Sequence, residues 1–428
     1  MNPRDRSWRS KNIAALILGA LFCCHATAQT TAPTQDLTPA GAERAGSSDG
    51  LVPAWSGGLR TPPLGWQPEM GYVNPFPDDR PITVITKANR ERFQAELSPG
   101  LIALLDRVPD FQIPLYAARR TAAYPDPVVA QDAIVPFPRP RNGEEVMRNV
   151  IQRYLGGSIA REGRAYPVRA NGDYYAIGTW SRRFYASHLE GAPEQLLFAA
   201  IGGFQSPASL RGNLALVHEP RSLAAEPRQA WLYNAAQRRV RRAPDLAYDA
   251  VSDGSEGLLT VDQVDGFNGA TDRYDWQLLG KRTLIVPYNT YSIAERGVKE
   301  SSLIRRGSVN GALMRYERHR VWVVEATLKP GQSHLYAKRR FYVDEDSWTV
   351  LIEEASSRRG DLWRVALHGV IQFYDAITPG IRLSIYHDLD SGSYLVSGLD
   401  GDRQPSIRFG ARADFSEFLP DALRRLAR

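Results

Sequence analysis

Cysteine is almost absent from this 428-residue chain, which has only two, Cys23 and Cys24. Both end a short apolar run, Ile13–Cys24, that follows four basic residues and precedes small residues up to Ala28. This is the pattern of a Sec signal peptide over residues 1–28, so we predict cleavage after Ala28 and export of the mature protein. The mature chain would contain no cysteine, which excludes disulfides, thiolate metal sites and cysteine nucleophiles.

Long hydrophobic runs are absent after this leader, and the leader's own run is too short to span a bilayer as a helix. A lipid anchor would need a small residue directly before the lipidated cysteine, but Phe22 precedes Cys23. We therefore expect a mature chain that is soluble and carries no lipid anchor.

Neither sign of charge dominates, since the chain has 53 Lys and Arg residues and 47 Asp and Glu residues, which gives a formal net charge of +6. Cleavage after Ala28 would remove four basic residues and Asp5, which leaves 49 basic and 46 acidic residues. The basic cluster at 238–242 is typical of a strand end that meets solvent. Because nucleic-acid binding needs a basic face, we expect no nucleic-acid partner.

The chain also lacks the motifs of nucleophilic and phosphate-binding sites. Its G-x-S-x-G match, GSSDG at 46–50, lies in the predicted extended arm and not between a strand and a helix, so it is no nucleophile elbow, and S-x-x-K with its partner motifs is absent. The glycine pairs Gly156-Gly157 and Gly202-Gly203 do not lead into G-K-[ST]. Asp344–Ser347 lacks the glycine and distal glutamate of a calcium loop, so we interpret it as a hairpin turn. We predict no enzymatic activity, no cofactor and no metal, although a glycan hydrolase with two facing carboxylates stays open.

From its composition and predicted elements, the mature chain divides into two parts, 29–160 and 161–428. The first part begins with an extended arm, Gln29–Pro81, whose aromatic residues would anchor it on a domain: Trp55, Trp66, Tyr72 and Phe76. Three helices are predicted to follow and to pack on the main domain. They are Lys87–Leu97, a second over Leu101–Asp106 after Ser98-Pro99, and a third that Asn142 caps and Gly156-Gly157 ends.

The second part, 161–428, is predicted to be mainly β-strands separated by turns, with turn dipeptides at Asn268-Gly269 and Asp400-Gly401. A short helix is predicted over Glu194–Ile201, and a closing amphipathic helix over Ser416–Ala427 on Leu419, Leu423 and Leu426. Strands are predicted at Ala165–Val168, Asp173–Tyr185, Leu214–His218, Arg228–Tyr233, Gln277–Tyr288, Asp361–Ala376, Arg382–Asp388 and Ser393–Leu399.

An antiparallel meander is predicted at the centre of this part, over Arg315–Trp363. Its strands are Arg320–Leu328, His334–Val343 and a third that starts at Trp348, separated by turn residues. One face is apolar and the other is cationic and rich in tyrosine, which indicates a sheet with one buried face. We interpret the ionisable residues as charges at solvated edges and turns: Glu317, His319, Glu325, His334, Asp344, Glu345 and Asp346.

A metal site is the alternative for two of these residues, since His319 and His334 could combine with a carboxylate. Their spacing fits no helical His-x-x-x-His pattern, so the solvated alternative is favoured.

Several blocks of the chain resemble one known family, number 1329 of the domains of unknown function. They are LTPAGAERAGSSDGLVPAW (Leu37–Trp55), RRTAAYP (Arg119–Pro125), DGFNGATDRYDWQLLGKRTLIVPYN (Asp265–Asn289) and RVWVVEATLKPGQSHLYAKRRFYVDEDSW (Arg320–Trp348). The resemblance covers essentially the whole mature chain. It implies a protein of the Gram-negative envelope, located in the periplasm and similar to outer-membrane lipoprotein-sorting proteins. It supplies no catalytic residues.

The resemblance also implies an α+β, mainly β fold like that of the periplasmic lipoprotein carriers. This fold is a strongly curved antiparallel sheet, a half-barrel, with a few helices packed on its concave side. The implied partners are a resistance-nodulation-division type exporter and an outer-membrane barrel protein.

These observations favour a non-catalytic periplasmic carrier for a lipid or lipid-like hydrophobic cargo. Arg339 interrupts the apolar face, where it could contact a lipid head group or, as the commoner alternative, pair with a carboxylate. The candidate cargo-binding residues could equally form an ordinary core; they are Trp322, Val324, Phe341, Val343, Trp363, Val365 and Phe373. Two other hypotheses stay open, a scaffold of an envelope export complex without a ligand and, less favoured, a periplasmic hydrolase.

Overall fold

The computed structural model describes residues 36–125, 135–222, 226–399 and 406–427. The predicted signal peptide and the predicted Asp400-Gly401 turn lie outside the described residues. Residues Asp36–Arg428 form one compact unit. Among the described residues, no helix is long and apolar enough to cross a membrane.

Strands dominate the described residues, and long ones begin only after residue 157. The early and middle strands are β1 (Thr83–Ile85), β2 (Ile113–Leu115), β3 (Ser158–Val168), β4 (Ile177–Tyr185), β5 (Leu189–Glu190), β6 (Leu196–Ser206), β7 (Leu214–Pro220), β8 (Gln229–Asn234) and β9 (Arg239–Arg242). The later strands are β10 (Tyr274–Pro287), β11 (Tyr316–Leu328), β12 (Lys338–Asp344), β13 (Val350–Ser356), β14 (Leu362–Phe373), β15 (Thr378–Asp388), β16 (Tyr394–Leu399), β17 (Ile407–Phe409) and β18 (Ala413–Asp414).

One large sheet contains all of these strands except β5 and β18, which pair with each other. Its order is β1-β2-β11-β12-β13-β14-β15-β16-β3-β4-β6-β7-β8-β9, with β10 on β11 and β17 on β3. The pairings in this sheet are antiparallel apart from the contact of β2 with β11. The pairing of β3 with β16 joins the β3–β9 half of the sheet to the β10–β16 half.

Four helices accompany the sheet in the described part of the chain: α1 (Pro99–Arg107), α2 (Gly143–Gln152), α3 (Glu300–Leu303) and α4 (Pro420–Leu426). Both of the longer ones begin at a polar cap, because the side chains of Ser98 and Asn142 accept hydrogen bonds from the backbone N–H groups of Leu101 and Glu145. The predicted fold class, mainly β with one strongly curved antiparallel sheet and a few helices, is confirmed.

Two helix predictions are wrong. Most of Glu194–Ile201 lies in strand β6, which begins at Leu196, because pairing with β4 and β7 outweighs the helix preference of its Leu and Ala residues. Lys87–Leu97 contains only the 3-10 helix Arg90–Phe93. The closing segment is a 3-10 turn followed by α4, and of its predicted apolar stripe only Leu423 is buried.

Side chains alternate between two faces of the sheet, and both faces are covered in the β10–β15 half. Phe341 pairs with Glu353, which pairs with Ala366, so these three share one face. Helix α2 packs on this face, which we call the α2 face. Tyr342 and Ile352 lie on the other face with α1, which we call the α1 face.

The extended arm before β1 is anchored by its aromatic residues. The Trp66 ring lies 5.1 Å from that of Tyr374, and the Tyr72 ring lies 4.8 Å from that of Phe373, both measured between centroids. Trp55 donates its indole N–H to the Ala122 carbonyl. The arm therefore packs over the end of β14.

Candidate functional site

A cavity of about 380 Å³ lies where the chain forms strands β15, β16, β3, β4, β6 and β7. All six strands line it, and they are consecutive in the sheet, so the sheet curves around the cavity. Leu259, Val261 and Val264, from the connection between β9 and β10, complete the lining. The volume falls in the range of roughly 300–1,000 Å³ that is typical of ligand sites.

The cavity exists because small side chains occupy the α2 face at this point. Arg161, Ser181, Gly202 and Ala215 form one cross-strand row, and three of these four side chains are very small. Gly202 and Ala215 are half-buried, whereas their neighbours on the opposite face are fully buried in a core with α4. The sheet is therefore packed on one face here and open to the cavity on the other.

Close approach of the backbone of a neighbouring strand also requires glycine at position 202. A Cβ atom at this position would lie 2.8 Å from the backbone carbonyl oxygen of Trp180, closer than van der Waals contact allows. The close approach of β4 and β6 thus needs the same residue that keeps the cavity open.

Much of the remaining lining is aliphatic or aromatic. Leu155, Ile159, Phe198, Val217 and Leu383 all contribute. Apolar surface that faces a cavity gains free energy when an apolar ligand replaces water, by about 25 cal/mol for each Å² covered. The cavity can therefore hold an aliphatic chain.

Arginines form the polar part of the site. Arg161 on β3, Arg183 on β4 and Arg382 on β15 line the cavity, as does Asp265. Arg153, which follows α2, lies behind them and places Nη2 2.9 Å from Asp265 Oδ1, while Arg183 Nη1 lies 3.0 Å from Asp265 Oδ2. Two guanidinium groups thus share one carboxylate.

The electrostatics of this cluster are dominated by positive charge. Burial, together with the charges of Arg183, Arg382 and Arg153, lowers the pKa of Arg161 to about 10, although Asp265 opposes the shift. Burial would raise the pKa of Asp265, but Arg153, Arg183 and Arg161 outweigh it and hold that pKa at about 2. Asp265 is therefore ionised at neutral pH and cannot serve as a general acid there.

Four of the seven predicted cargo residues lie on the α2 face, away from the cavity. Val324, Phe341 and Val343 are fully buried against α2, and Trp322 is half-buried and stacked on Trp348 with 6.3 Å between ring centroids. In this half of the sheet, α2 and its neighbours fill the face.

The other three predicted residues are placed separately. Val365 pairs with Glu354 and lies on the α1 face, so it does not share a face with Phe341. Phe373 packs beneath the arm, and Trp363 donates its indole N–H to Asp388 at 3.0 Å. None of the seven lines the cavity described above, and a cargo site at these positions stays a prediction.

Arg339 lies on the α2 face and is fully buried. It forms ion pairs with Asp262 and Glu353, the second at 2.7 Å, and His334 also contacts Asp262 at 3.1 Å. Of the two alternatives for Arg339, the structure shows pairing with carboxylates.

The interpretation of the central ionisable residues as solvated is wrong for six of the seven. At most 4% of the surface of each is exposed: Glu317, His319, His334, Asp344, Glu345 and Asp346. The reason is that the arm and the segment before α2 cover the polar ends of these strands and supply cations. Arg120, for example, pairs with Asp346 at 2.6 Å. Glu325 is the exception, half-buried beside Lys338 and Arg340.

The two histidines of the alternative metal site contact different carboxylates, His319 with Glu317 and His334 with Asp262. His319 does lie with Asp344 and Asp346, and one possible ligand atom from each falls within 4.8 Å of the others. However, Arg120 binds both oxygens of Asp346, at 2.6 and 2.9 Å. A guanidinium that saturates one carboxylate favours an internal ion-pair network over a metal site.

The cavity arginines were not predicted from the sequence, because they are far apart in the chain and only the pairing of strands brings them together. Arg161, Arg183 and Arg382 lie on three strands separated by up to about two hundred positions. The available signal was weak: one arginine on β3 and another on β4, in strands whose burial does not alternate regularly.

Comparison with known proteins identifies relatives over most of the chain. The model of the family described as "Protein of unknown function (DUF1329)" matches residues 84–133 and 129–424. The uncharacterized protein PA3922 of Pseudomonas aeruginosa is 40% identical over 415 residues, which is 91% of each chain.

Two solved structures are similar at low sequence identity. A DUF1329 family protein from Desulfovibrio piger is 17% identical with a TM-score of 0.46, over 66% of this chain and 97% of that one. The LolA superfamily protein NE2245 from Nitrosomonas europaea is 14% identical with a TM-score of 0.40, over 66% of this chain and 100% of that one. On the strength of the family match and the Pseudomonas relative, the chain belongs to the DUF1329 family.

Proposed function

We propose that the protein is a periplasmic carrier that binds a lipid-like cargo in the cavity between β7 and β15. The single observation that supports this most strongly is the cavity itself, about 380 Å³ of space with a largely apolar lining inside a curved sheet. A protein that used this sheet only as a core would gain stability by filling that space, because interiors are normally close-packed.

A scaffold without a ligand would be expected to have a filled sheet face throughout. One half of the sheet has such a face and the other half does not. Helix α2 fills the α2 face over β10–β13. Over β3–β7 the row that contains Ser181, Gly202 and Ala215 leaves the same face open. This contrast favours a carrier.

The alternative of a hydrolase finds little support in the cavity. Asp265 is held ionised by arginines, and His319 and His334 are buried within ion-paired networks. A general acid or base must reach the proton that it transfers, and these groups are occupied by internal partners.

The location and partners of the carrier are part of the same proposal. Export by the predicted signal peptide would put the mature chain in the periplasm. There it would receive cargo from an exporter of the resistance-nodulation-division type and deliver it toward an outer-membrane barrel protein, with only transient membrane contact.

Direct detection of a ligand tests the proposal. The mature protein, purified from an envelope fraction and measured by native mass spectrometry, should carry a mass that organic extraction removes. The extracted protein should then bind a C16 acyl ligand in a one-to-one ratio. Finding no bound mass in the native protein and no uptake after extraction would rule out a carrier of acyl cargo.

A further inference from the structure

We propose that the cavity recognises amphiphiles with an acidic head group, a carboxylate or a phosphate, through Arg161 and its neighbouring arginines. This inference rests on the proposed carrier function and specifies the chemical class of its cargo. It follows from the charges, the hydrogen bonding and the lining of the cavity.

The charges around the cavity do not balance. Arg153, Arg161 and Arg183 lie around Asp265, so three guanidinium groups share one buried carboxylate. Glu162 also lines the cavity, but its side chain is exposed and follows Arg161 on β3, so strand alternation directs its carboxylate to the opposite face. Uncompensated positive charge in a site of low dielectric constant attracts an anion.

Two further cations at the cavity pair with acidic residues elsewhere, and Arg382 donates a hydrogen bond to the Gly398 carbonyl at 2.6 Å. Arg228 pairs with Glu219 at 2.6 Å, and both side chains are buried. Arg182 pairs with Glu417 at 3.4 Å at the surface. The positive surplus therefore belongs to the group around Arg161.

Arg161 lines the cavity and has unused hydrogen-bonding capacity, as does Arg153 behind the lining. Within the described ranges the Arg161 Nε–H is buried and has no hydrogen-bond partner. Its lowered pKa shows how strongly burial and the like charges disfavour its protonated form. An acidic oxygen at this point would supply both the missing acceptor and the missing negative charge.

The geometry of guanidinium groups suits carboxylates and phosphates, because two parallel N–H groups match two acidic oxygens. Arg183 is also held in the cavity by stacking, with its guanidinium carbon 4.7 Å from the Phe198 ring centroid. The acidic head would lie between Arg161 and Arg183, and the tail would lie along the apolar lining.

Binding of a matched ligand series to the extracted, full-length mature protein tests this inference. Palmitate and palmitoyl lysophosphatidic acid carry acidic heads, hexadecanol has the same chain without charge, and hexadecyltrimethylammonium has the opposite charge. Acetate and inorganic phosphate are heads without tails. Each is titrated below its critical micelle concentration. At least one of the two acidic lipids should bind tenfold or more tightly than hexadecanol, and the preferred one identifies the source of the head group.

The variant Arg161→Gln provides the residue-level test. The Arg161 Nε–H has no hydrogen-bond partner among the described residues, so the substitution should retain the fold, as thermal unfolding would verify. Affinity for the preferred acidic lipid should fall about tenfold while affinity for hexadecanol stays the same. Arg359→Gln, in the exposed β13–β14 turn, should change neither.

The possible failures are distinguishable. Equal affinity for hexadecanol and both acidic lipids, unchanged in Arg161→Gln, would overturn the head-group inference and leave the carrier proposal standing. Acetate or phosphate binding as tightly as the lipids would overturn it in favour of a free-anion site. If no ligand with a C16 chain binds, the carrier proposal fails as well.

Discussion

At the scale of single residues, the protein stands out for ion pairs that are fully removed from water. Arg339 and Glu353 are 0% and 1% exposed, and Asp262, which pairs with Arg339, is 2% exposed. The rings of Phe341 and Phe267 lie 5.0 and 5.3 Å from the guanidinium carbon of Arg339. Such a network holds loop residue Asp262 against the sheet, and loss of one member leaves the others charged and unpaired.

Substitution of Arg339 tests this network. Arg339→Met keeps the apolar contacts but leaves Asp262 and Glu353 without their cation, so the free energy of unfolding should fall by about 3–5 kcal/mol. Urea unfolding measures the change. Arg359→Met, on the surface, should stay within about 0.5 kcal/mol. A loss below about 1 kcal/mol for Arg339→Met would show that the pairs do not hold the loop in place.

The lowered pKa of Asp265 predicts that the free energy of unfolding depends on pH. Its pKa in the folded protein is about 2, below the ordinary value of 3.8. A lowered carboxyl pKa stabilises the folded state at pH values above about 4, and this contribution is lost as the pH falls toward 2. Asp265→Asn should therefore reduce the free energy of unfolding by about 2–3 kcal/mol at pH 7.

Urea unfolding between pH 7 and pH 3 checks the sign of this effect. The difference between wild type and Asp265→Asn should be constant from pH 7 to pH 5 and shrink below pH 4. The exposed Asp361→Asn should show little difference at any pH. A difference that grows with acidity would contradict the assignment of Asp265 as an ionised partner of Arg153 and Arg183.

At the scale of elements, helix α2 determines which part of the α2 face is filled. Its first residue, Gly143, lies so close to the sheet that a Cβ atom would be 2.9 Å from Val324 Cγ1 and 3.0 Å from the backbone of Trp276. Val146 and Val150 then pack on the same face, together with Phe341.

The substitution Gly143→Ala distinguishes the effect of packing on stability from that of helix preference, because the two have opposite signs here. Alanine normally favours a helix by about 1 kcal/mol over glycine. Here the clash with Trp276 backbone should reverse the sign and destabilise the fold by about 1–3 kcal/mol. Arg148→Ala on the same helix removes only an exposed pair with Glu144 and should have an effect below about 0.5 kcal/mol. A more stable Gly143→Ala protein would mean that α2 sits farther from the sheet.

Elements were predictable where the sequence carries local signals. Asn142, with Glu144 and Glu145 in the first turn, gives α2 a clear start, and the structure has the helix there. Strand β6 was mistaken for a helix because LLFAAI has no local feature that opposes one, and only its neighbours β4 and β7 decide. The cavity was beyond prediction, because it depends on the register that aligns Ser181 with Gly202 and Ala215.

At the scale of the whole molecule, the curved sheet divides into a packed half and an open half. Strand β3 joins the two by pairing with β16. The packed half, with helices α1 and α2 on its two faces, would give rigidity. The open half has α4 on its outer face and a cavity with an arginine cluster on the inner one. A rigid frame beside an open concave surface suits a protein that must hold a ligand and release it.

Blocking the cavity tests the central claim most directly. Ser181 lines the cavity and is exposed, so the ring of Ser181→Phe would enter the space without displacing core residues. Palmitate binding to the extracted protein is measured by isothermal titration for wild type, Ser181→Phe and Ser209→Phe. The last variant places the same ring in the exposed β6–β7 turn. We predict one-to-one binding to wild type and Ser209→Phe, and at least tenfold weaker binding to Ser181→Phe. Equal palmitate affinity in all three proteins would contradict the account.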